Sequence, residues 1–210
     1  MWTFGKAVNI VTVAAVMTPL MASMPVAAEV SMADETFAME TDAEASAVVA
    51  FWRAAGPALW FAKDAAFDRR FHDRFLTAHA EAVEGRLEGW ASSPDGALAL
   101  LILLDQFPRN AFRGSPRMYA SDALARAIAD AAIHAGYDQR VDQRLAVFFY
   151  LPFAHSENLA DQERAVMLVE RLGEPDVSHA KHHRDIIRRF GRFPHRNPIL
   201  GREMRPEEQR

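Results

Sequence analysis

Apolar residues recur along this chain with the period of a helix rather than that of a strand. Phe67, Phe71 and Phe75 stand four positions apart, which puts them on one helix face. The pattern continues through Ala78, Ala82 and Leu87 to Trp90, with Gly85 and Gly89 weakening its second half. From Ala97 to Leu104 every residue is apolar. An unbroken run of that length is a fully buried strand or a fully buried helix. Leucine and alanine dominate it and only Ile102 is β-branched, so it reads as helix. Ser93 can cap its start, Pro94 suits the first helical position, and Pro108 disfavours further helix at Phe107.

The same reasoning assigns the rest of the chain. A helix starting at Asp42 carries Val48, Val49, Phe51 and Trp52 and breaks at Gly56-Pro57. Ala111 to Tyr119 is a loop, after which Ser121 caps a helix that stops near Gly136. Another begins at Asp138 or Val141 and is ended by Pro152. Leu159 to Leu172 and Val177 to Phe190 complete the set. With almost no alternating runs, residues 42–210 form a single all-α domain of short helices paired antiparallel through short loops.

One local device occurs three times: an apolar or aromatic run meets a proline and then releases polar side chains. It reads Leu104-Asp105-Gln106-Phe107-Pro108-Arg109-Asn110, then Tyr150-Leu151-Pro152-Phe153-Ala154-His155-Ser156-Glu157, then Phe190-Gly191-Arg192-Phe193-Pro194-His195-Arg196-Asn197. Proline fixes each turn, so the released groups are held. If the breaks meet at one end of the bundle, they gather Asp105, Arg109, Asn110, Arg113, His155, Glu157, Arg192, His195, Arg196 and Asn197. Forked arginines beside histidines suit a small carboxylate or phosphate ligand, and such an anion would bind more tightly as pH falls through the histidine range. The competing expectation is a set of loop clasps, with Asp105 paired to Arg192, Arg196 or its own Arg109. If the chain is a small-molecule enzyme, such as a hydrolase, the chemistry would fall to His155 or His195 as general acid or base, with Asp105 and Glu157 as further catalytic candidates and arginines holding an anionic substrate.

Other chemistries find less support. HExxH is absent; a histidine-carboxylate metal site would have to draw on His155, Glu157, His179, His183, Asp185 and His195, and neither metal nor cofactor is expected. No glycine-rich phosphate loop or G-x-S-x-G elbow appears, and Ser156 beside His155 makes no triad. Gln143, Gln162 and His72 read as surface or capping groups. The chain lacks cysteine, which removes disulfides and metal-thiolate sites. Its net charge of -4 gives no reason to expect nucleic acid. Lys6, Lys63 and Lys181 are the only lysines, so arginine supplies nearly all the positive charge. The expected partner is a small anionic ligand or another protein.

These motifs carry a family resemblance. Trp60-Phe61 with Asp64, Phe67-Asp68, the word Leu103 to Asn110 with Arg113, Tyr150-Leu151-Pro152-Phe153 with His155-Ser156-Glu157, Gln162, and His183-Arg184-Asp185 leading to Phe190 to Asn197 and Leu200-Gly201-Arg202 resemble the bacterial domain of unknown function 924 family (DUF924). The resemblance spans roughly Val48 to Glu207 and implies a tetratricopeptide-like array of helix pairs. Such arrays usually present a surface to a partner, which favours a binding or scaffold module over a small-molecule enzyme. The resemblance itself assigns no residue a catalytic role.

The N-terminal residues have a different character. Lys6 precedes a largely apolar stretch from Ala7 to Leu20, and Val26-Ala27-Ala28 is a signal-peptidase pattern. Residues 1–28 are therefore expected to be a cleaved export signal and residues 29–41 an acidic, flexible lead-in. Asn9, Thr12, Thr18 and Pro19 argue against a stable membrane span. The mature protein would then be periplasmic or exported; the family resemblance favours the alternative, a cytoplasmic protein. N-terminal sequencing of protein from the native cell is expected to begin at Glu29, and an intact Met1 in the cytoplasmic fraction would overturn that.

Overall fold

In the computed structural model, which describes residues 43–209, helix α1 covers residues 43–55 and turns Ala45, Val48, Val49 and Trp52 inward. The expected export signal and lead-in lie outside the described residues. Gly56, with φ 70°, ends α1, and Pro57 opens the short α2 (Pro57–Trp60). The indole N–H of Trp60 donates back to the Trp52 carbonyl at 2.7 Å, fixing the corner. Helix α3 (Ala65–Val83) is capped by Asp64, which accepts the Phe67 amide at 2.7 Å. Phe67, Phe71 and Phe75 all point inward onto Phe51 from α1, the first two stacked on its ring and Phe75 edge-on. Area burial by these rings, at ~1.5–3 kcal/mol each, is the main adhesive of this end of the molecule. The helix stops at Val83 rather than running on to Trp90. Gly85 takes a left-handed φ of 78°, and Trp90 is buried from a separate 3-10 turn, Glu88–Ser92.

The apolar run is helical, and Ser93 caps α4 (Pro94–Leu101) as expected, accepting the Gly96 amide at 3.1 Å. Pro108 does not end the rod. A π-turn over Ile102–Gln106 carries it into α5 (Phe107–Ala111), so that the Phe107 amide reaches the Ile102 carbonyl. The wider turn absorbs a proline that an α-helix would not hold there. It also leaves carbonyls without amide partners, and other elements supply them. His79 on α3 bonds the Leu103 carbonyl at 2.9 Å. The Ser121 hydroxyl donates to the Leu104 carbonyl at 2.6 Å. Ser121 therefore does not cap α6 (Asp122–His134) with its side chain, because that hydroxyl is engaged on the central rod.

Pro152 is likewise inside its helix. Two 3-10 turns, Tyr137–Gln139 and Gln143–Leu145, precede α7 (Val147–Ala154), which continues two residues past the proline. Open carbonyls at and just beyond the end of α7 are claimed from a distance. Gln162, expected to be a surface or capping group, is fully buried on α8 (Leu159–Val169) and donates to the carbonyls of Ala154 and Ser156 at 2.8 and 2.6 Å. Helix α8 packs between α7 and α9 (Asp176–Phe190), and α6 packs on both α4 and α7. Gly191, with φ 70°, closes α9 before the 3-10 turn Pro194–Arg196 and the short α10 (Asn197–Leu200). Among the described residues there is no strand, and no helix is long and apolar enough to cross a membrane.

Gly96 is required by the approach of the preceding turn. A Cβ there would lie 2.1 Å from the Trp90 carbonyl oxygen. Gly96→Ala should therefore lower stability by about 1–3 kcal/mol through overpacking, against the ~1 kcal/mol that helix propensity alone would add. A rise in the urea midpoint would contradict this.

Candidate functional site

The polar groups released by the central rod form around one carboxylate. Asp105 is fully buried at the π-turn. Its oxygens accept from His155 Nδ1 at 2.8 Å and from the Gln106 amide at 2.6 Å, and Arg109 lies at 3.2 Å. The i,i+4 spacing within the rod is what brings Arg109 under Asp105. Arg109 also bonds the Asp105 carbonyl at 2.7 Å and forks onto Asp122 at 2.9 and 3.1 Å. Arg196 joins from the last proline break. It donates to the His155 carbonyl at 2.9 Å, lies 3.6 Å from Asp122, and sits over the rings of Tyr119 and Phe193. So Asp105 pairs with its own Arg109 and not with Arg192 or Arg196.

Other expected residues are placed in separate clasps. Glu157 forks with Arg202 at 2.7 and 2.9 Å and accepts the Phe193 amide at 2.8 Å. Arg192 forks with Glu208 at 2.6 and 2.7 Å, and Asn197 donates to the same carboxylate at 3.0 Å. These contacts pin the C-terminal segment. His195 is exposed, with its ring 5.5 Å from Phe193. Asn110 and Arg113 both bond Asp68 on α3, at 2.8 and 2.6 Å. Of the groups weighed for a metal, His183 is tied to the Ala154 carbonyl at 3.2 Å, Glu157 to Arg202, and Asp185 to Arg184. Among the described residues no three histidines or acids are arranged to hold a metal ion.

A cleft of about 170 Å³ remains open beside the Asp105 hub, walled by Trp60, Phe61 and Leu151 and floored by Gln106, Arg109, Asn110, Arg113 and His155. Hydrogen bonding dictates which atoms are left to face it. Asp105 takes the amide nitrogen of Gln106, and Asp68 that of Asn110, so each amide oxygen is left over. His155 must carry its proton on Nδ1 to donate to a carboxylate, which leaves Nε2 as a lone-pair acceptor without a hydrogen bond among the described residues. Burial, reinforced by the charge of Arg109, lowers the His155 pKa despite Asp105, so the ring is neutral at pH 7. Burial alone would raise Asp105, but Arg109 and the His155 contacts outweigh it and hold the carboxyl at about 2. Both guanidinium groups of the cleft are already matched, Arg109 by two carboxylates and Arg113 by one.

Asp122, Tyr119 and the Trp60-Phe61 wall were not marked by sequence reasoning as parts of this site. Asp122 is an ordinary first-turn acid of α6, and nothing local reveals that it faces Arg109 thirteen positions earlier.

The family model for DUF924, described as a bacterial protein of unknown function, matches residues 48–210. A solved structure of a protein of unknown function from Agrobacterium tumefaciens, ATU0120, is similar, with 57% identity and a TM-score of 0.79 over 80% of this chain and 96% of that one. No curated protein matches the chain.

Removing the buried charge should be costly. Asp105→Asn is expected to destabilise the fold by about 3 kcal/mol or more at pH 7, read from chemical denaturation. The wild type should also weaken in acid in two stages. His183, held neutral by burial with a pKa of about 4 against 6.5, disfavours the fold as pH falls between those values, because the unfolded chain protonates first. Asp105 contributes fully above its ordinary 3.8, and its contribution is lost as pH falls towards 2. In Asp105→Asn the upper stage should survive and the lower one should shrink without vanishing, because the Arg192 hydrogen bonds hold the Glu208 carboxyl at about 2 as well. An unchanged midpoint at pH 7 would contradict this account of the hub.

Proposed function

We propose that this chain, which belongs to the DUF924 family of bacterial proteins, is a binding module whose cleft at Gln106, Asn110, Arg113 and His155 takes a small ligand through hydrogen-bond donors on that ligand. The observation that carries this reading is the unpartnered Nε2 of His155, oriented by the buried Asp105. A rotationally locked imidazole with one free acceptor is wasted as a clasp, because a clasp uses only its Nδ1–H side. The ligand's preference follows from which atoms are free. The carboxylates behind the cleft balance the charge of both guanidinium groups and take one N–H of each amide, while the His155 Nε2 and the two amide oxygens stay open as acceptors, so a hydroxyl or amine finds partners that arginine content alone does not suggest.

The tetratricopeptide-like array of helix pairs belongs to the same proposal. Its support is that α6, α7, α8 and α9 each pack on the next in chain order. The Asp105–His155 pair also favours a second reading, in which His155 is the general base of a small-molecule enzyme. Conversion of a bound compound during titration would identify it.

Titration of polyols, amines, carboxylates and phosphorylated metabolites, followed by NMR of the His155 ring nitrogens, tests the proposal. Donor compounds should perturb Nε2. Their binding should weaken as pH falls below 6.5 and the ring, whose pKa is lowered by burial, gains its proton. An anion held by histidine would show the opposite slope. His155→Asn, which can keep an N–H on Asp105 while removing Nε2, should lose binding at least tenfold while remaining folded. Binding of phosphate or carboxylate compounds alone, tightening in acid, would overturn the donor reading.

A further inference from the structure

A second cavity, of about 290 Å³, adjoins the cleft and shares Phe61, Leu151 and His155 with it. Its walls are mostly apolar, with Val147, Ala154, Val169 and Ala180 drawn from α7, α8 and α9. Two features set it apart from an ordinary packing gap. Leu151 is the one residue of α7 that is not buried, and it stands at the junction of the two cavities. Phe61 is 62% exposed although its ring stacks 6.1 Å from Phe148, so it covers the same junction without being buried by the protein itself. His183 closes the cavity opposite His155, with ring centres 6.4 Å apart. Its Nδ1 is bound to the Ala154 carbonyl, an acceptor only, so its Nε2 is also a lone-pair acceptor.

We propose that the two cavities form one bipartite site for an amphipathic small molecule, whose hydroxyl or amine head donates to the His155 Nε2 and whose apolar tail lies against Leu151, Val169 and Ala180. This rests on the donor-binding reading of the cleft and adds the class of ligand. The tail has a place because apolar surface is left uncovered by protein. The head is fixed because a buried imidazole acceptor discriminates against a group that cannot donate to it. Asp176, His179 and His182 line the rim of the larger cavity, so a second polar end would meet them only beyond the tail.

Calorimetric titration with straight-chain probes tests it: the 1-alkanols and 1-alkylamines from butyl to octyl, with the matching carboxylates. Affinity for alcohols and amines should rise about threefold to fourfold per methylene until the cavity is full. The carboxylate of each length should bind at least tenfold more weakly. His155→Asn should abolish the difference between heads while keeping the dependence on length. Leu151→Phe, which narrows the junction, should flatten the dependence on length, and Val169→Phe, which fills the far wall, should do the same if the junction variant does not fold. Donor compounds that perturb His155 with no dependence on length would overturn the bipartite site and leave the cleft reading standing. Length dependence with carboxylate bound best would overturn both. No perturbation of His155 by any probe would remove the cleft reading itself.

Discussion

A single carboxylate, Asp105, is the constraint the rest of the structure answers to. It lies with no exposure to water at the end of an apolar rod, where an uncompensated charge would be prohibitive. Compensation comes from three directions. Arg109 is supplied by the rod's own next turn, Gln106 by its neighbouring position, and His155 by the end of α7. The last is a tertiary requirement. For His155 to reach Asp105, α7 must terminate over the π-turn, and Arg196 then locks that termination by holding the His155 carbonyl. Asp122 balances the two guanidinium groups that the arrangement brings together. The charge thus joins the central rod, α6, α7 and the last proline break into one network.

The prolines act through carbonyls rather than as terminators. Pro108 offers no amide to the turn before it, and the oxygens left behind are bound by His79 and Ser121 from two other elements. At the C-terminal end of α7, where the helix itself leaves carbonyls open, Gln162 and His183 both reach the carbonyl of Ala154. The Pro108 break converts local hydrogen bonds into long-range ones, and the end of α7 adds further long-range ones. A buried carbonyl left empty costs roughly 1–3 kcal/mol, so these side chains specify how the helices sit. That explains why polar residues such as Gln162 are found at full burial in a helical core.

Periodicity made the helices legible because burial of one face repeats locally, as at Phe67, Phe71 and Phe75. The Asp105–Arg109 pair was legible for the same reason: it is an i,i+4 contact within one element. What could not be read was anything depending on a partner far along the chain. Pro108 and Pro152 look like terminators because proline is hostile to an isolated helix; only the π-turn and the distant donors reverse that. The expected single cluster divided because Glu157 and Arg192 have partners, Arg202 and Glu208, within the final segment. That segment is polar and aperiodic, so no pattern pairs its residues in advance.

The choice between structural clasp and binding site dissolves once the orientation of each group is followed. Asp105 is structural in that its charge holds the elements together, yet the same contacts decide what the cleft offers. A carboxylate behind an imidazole turns the proton inward and the lone pair outward; a carboxylate behind an amide turns nitrogen inward and oxygen outward. Arginine content suggests an anion site only when guanidinium groups are free. Here the largely buried Arg109 is matched by two acids and the exposed Arg113 by one, so neither brings an unbalanced charge to the cleft. The protein's own need to neutralise its interior therefore comes first, and the cleft presents what is left after that need is met.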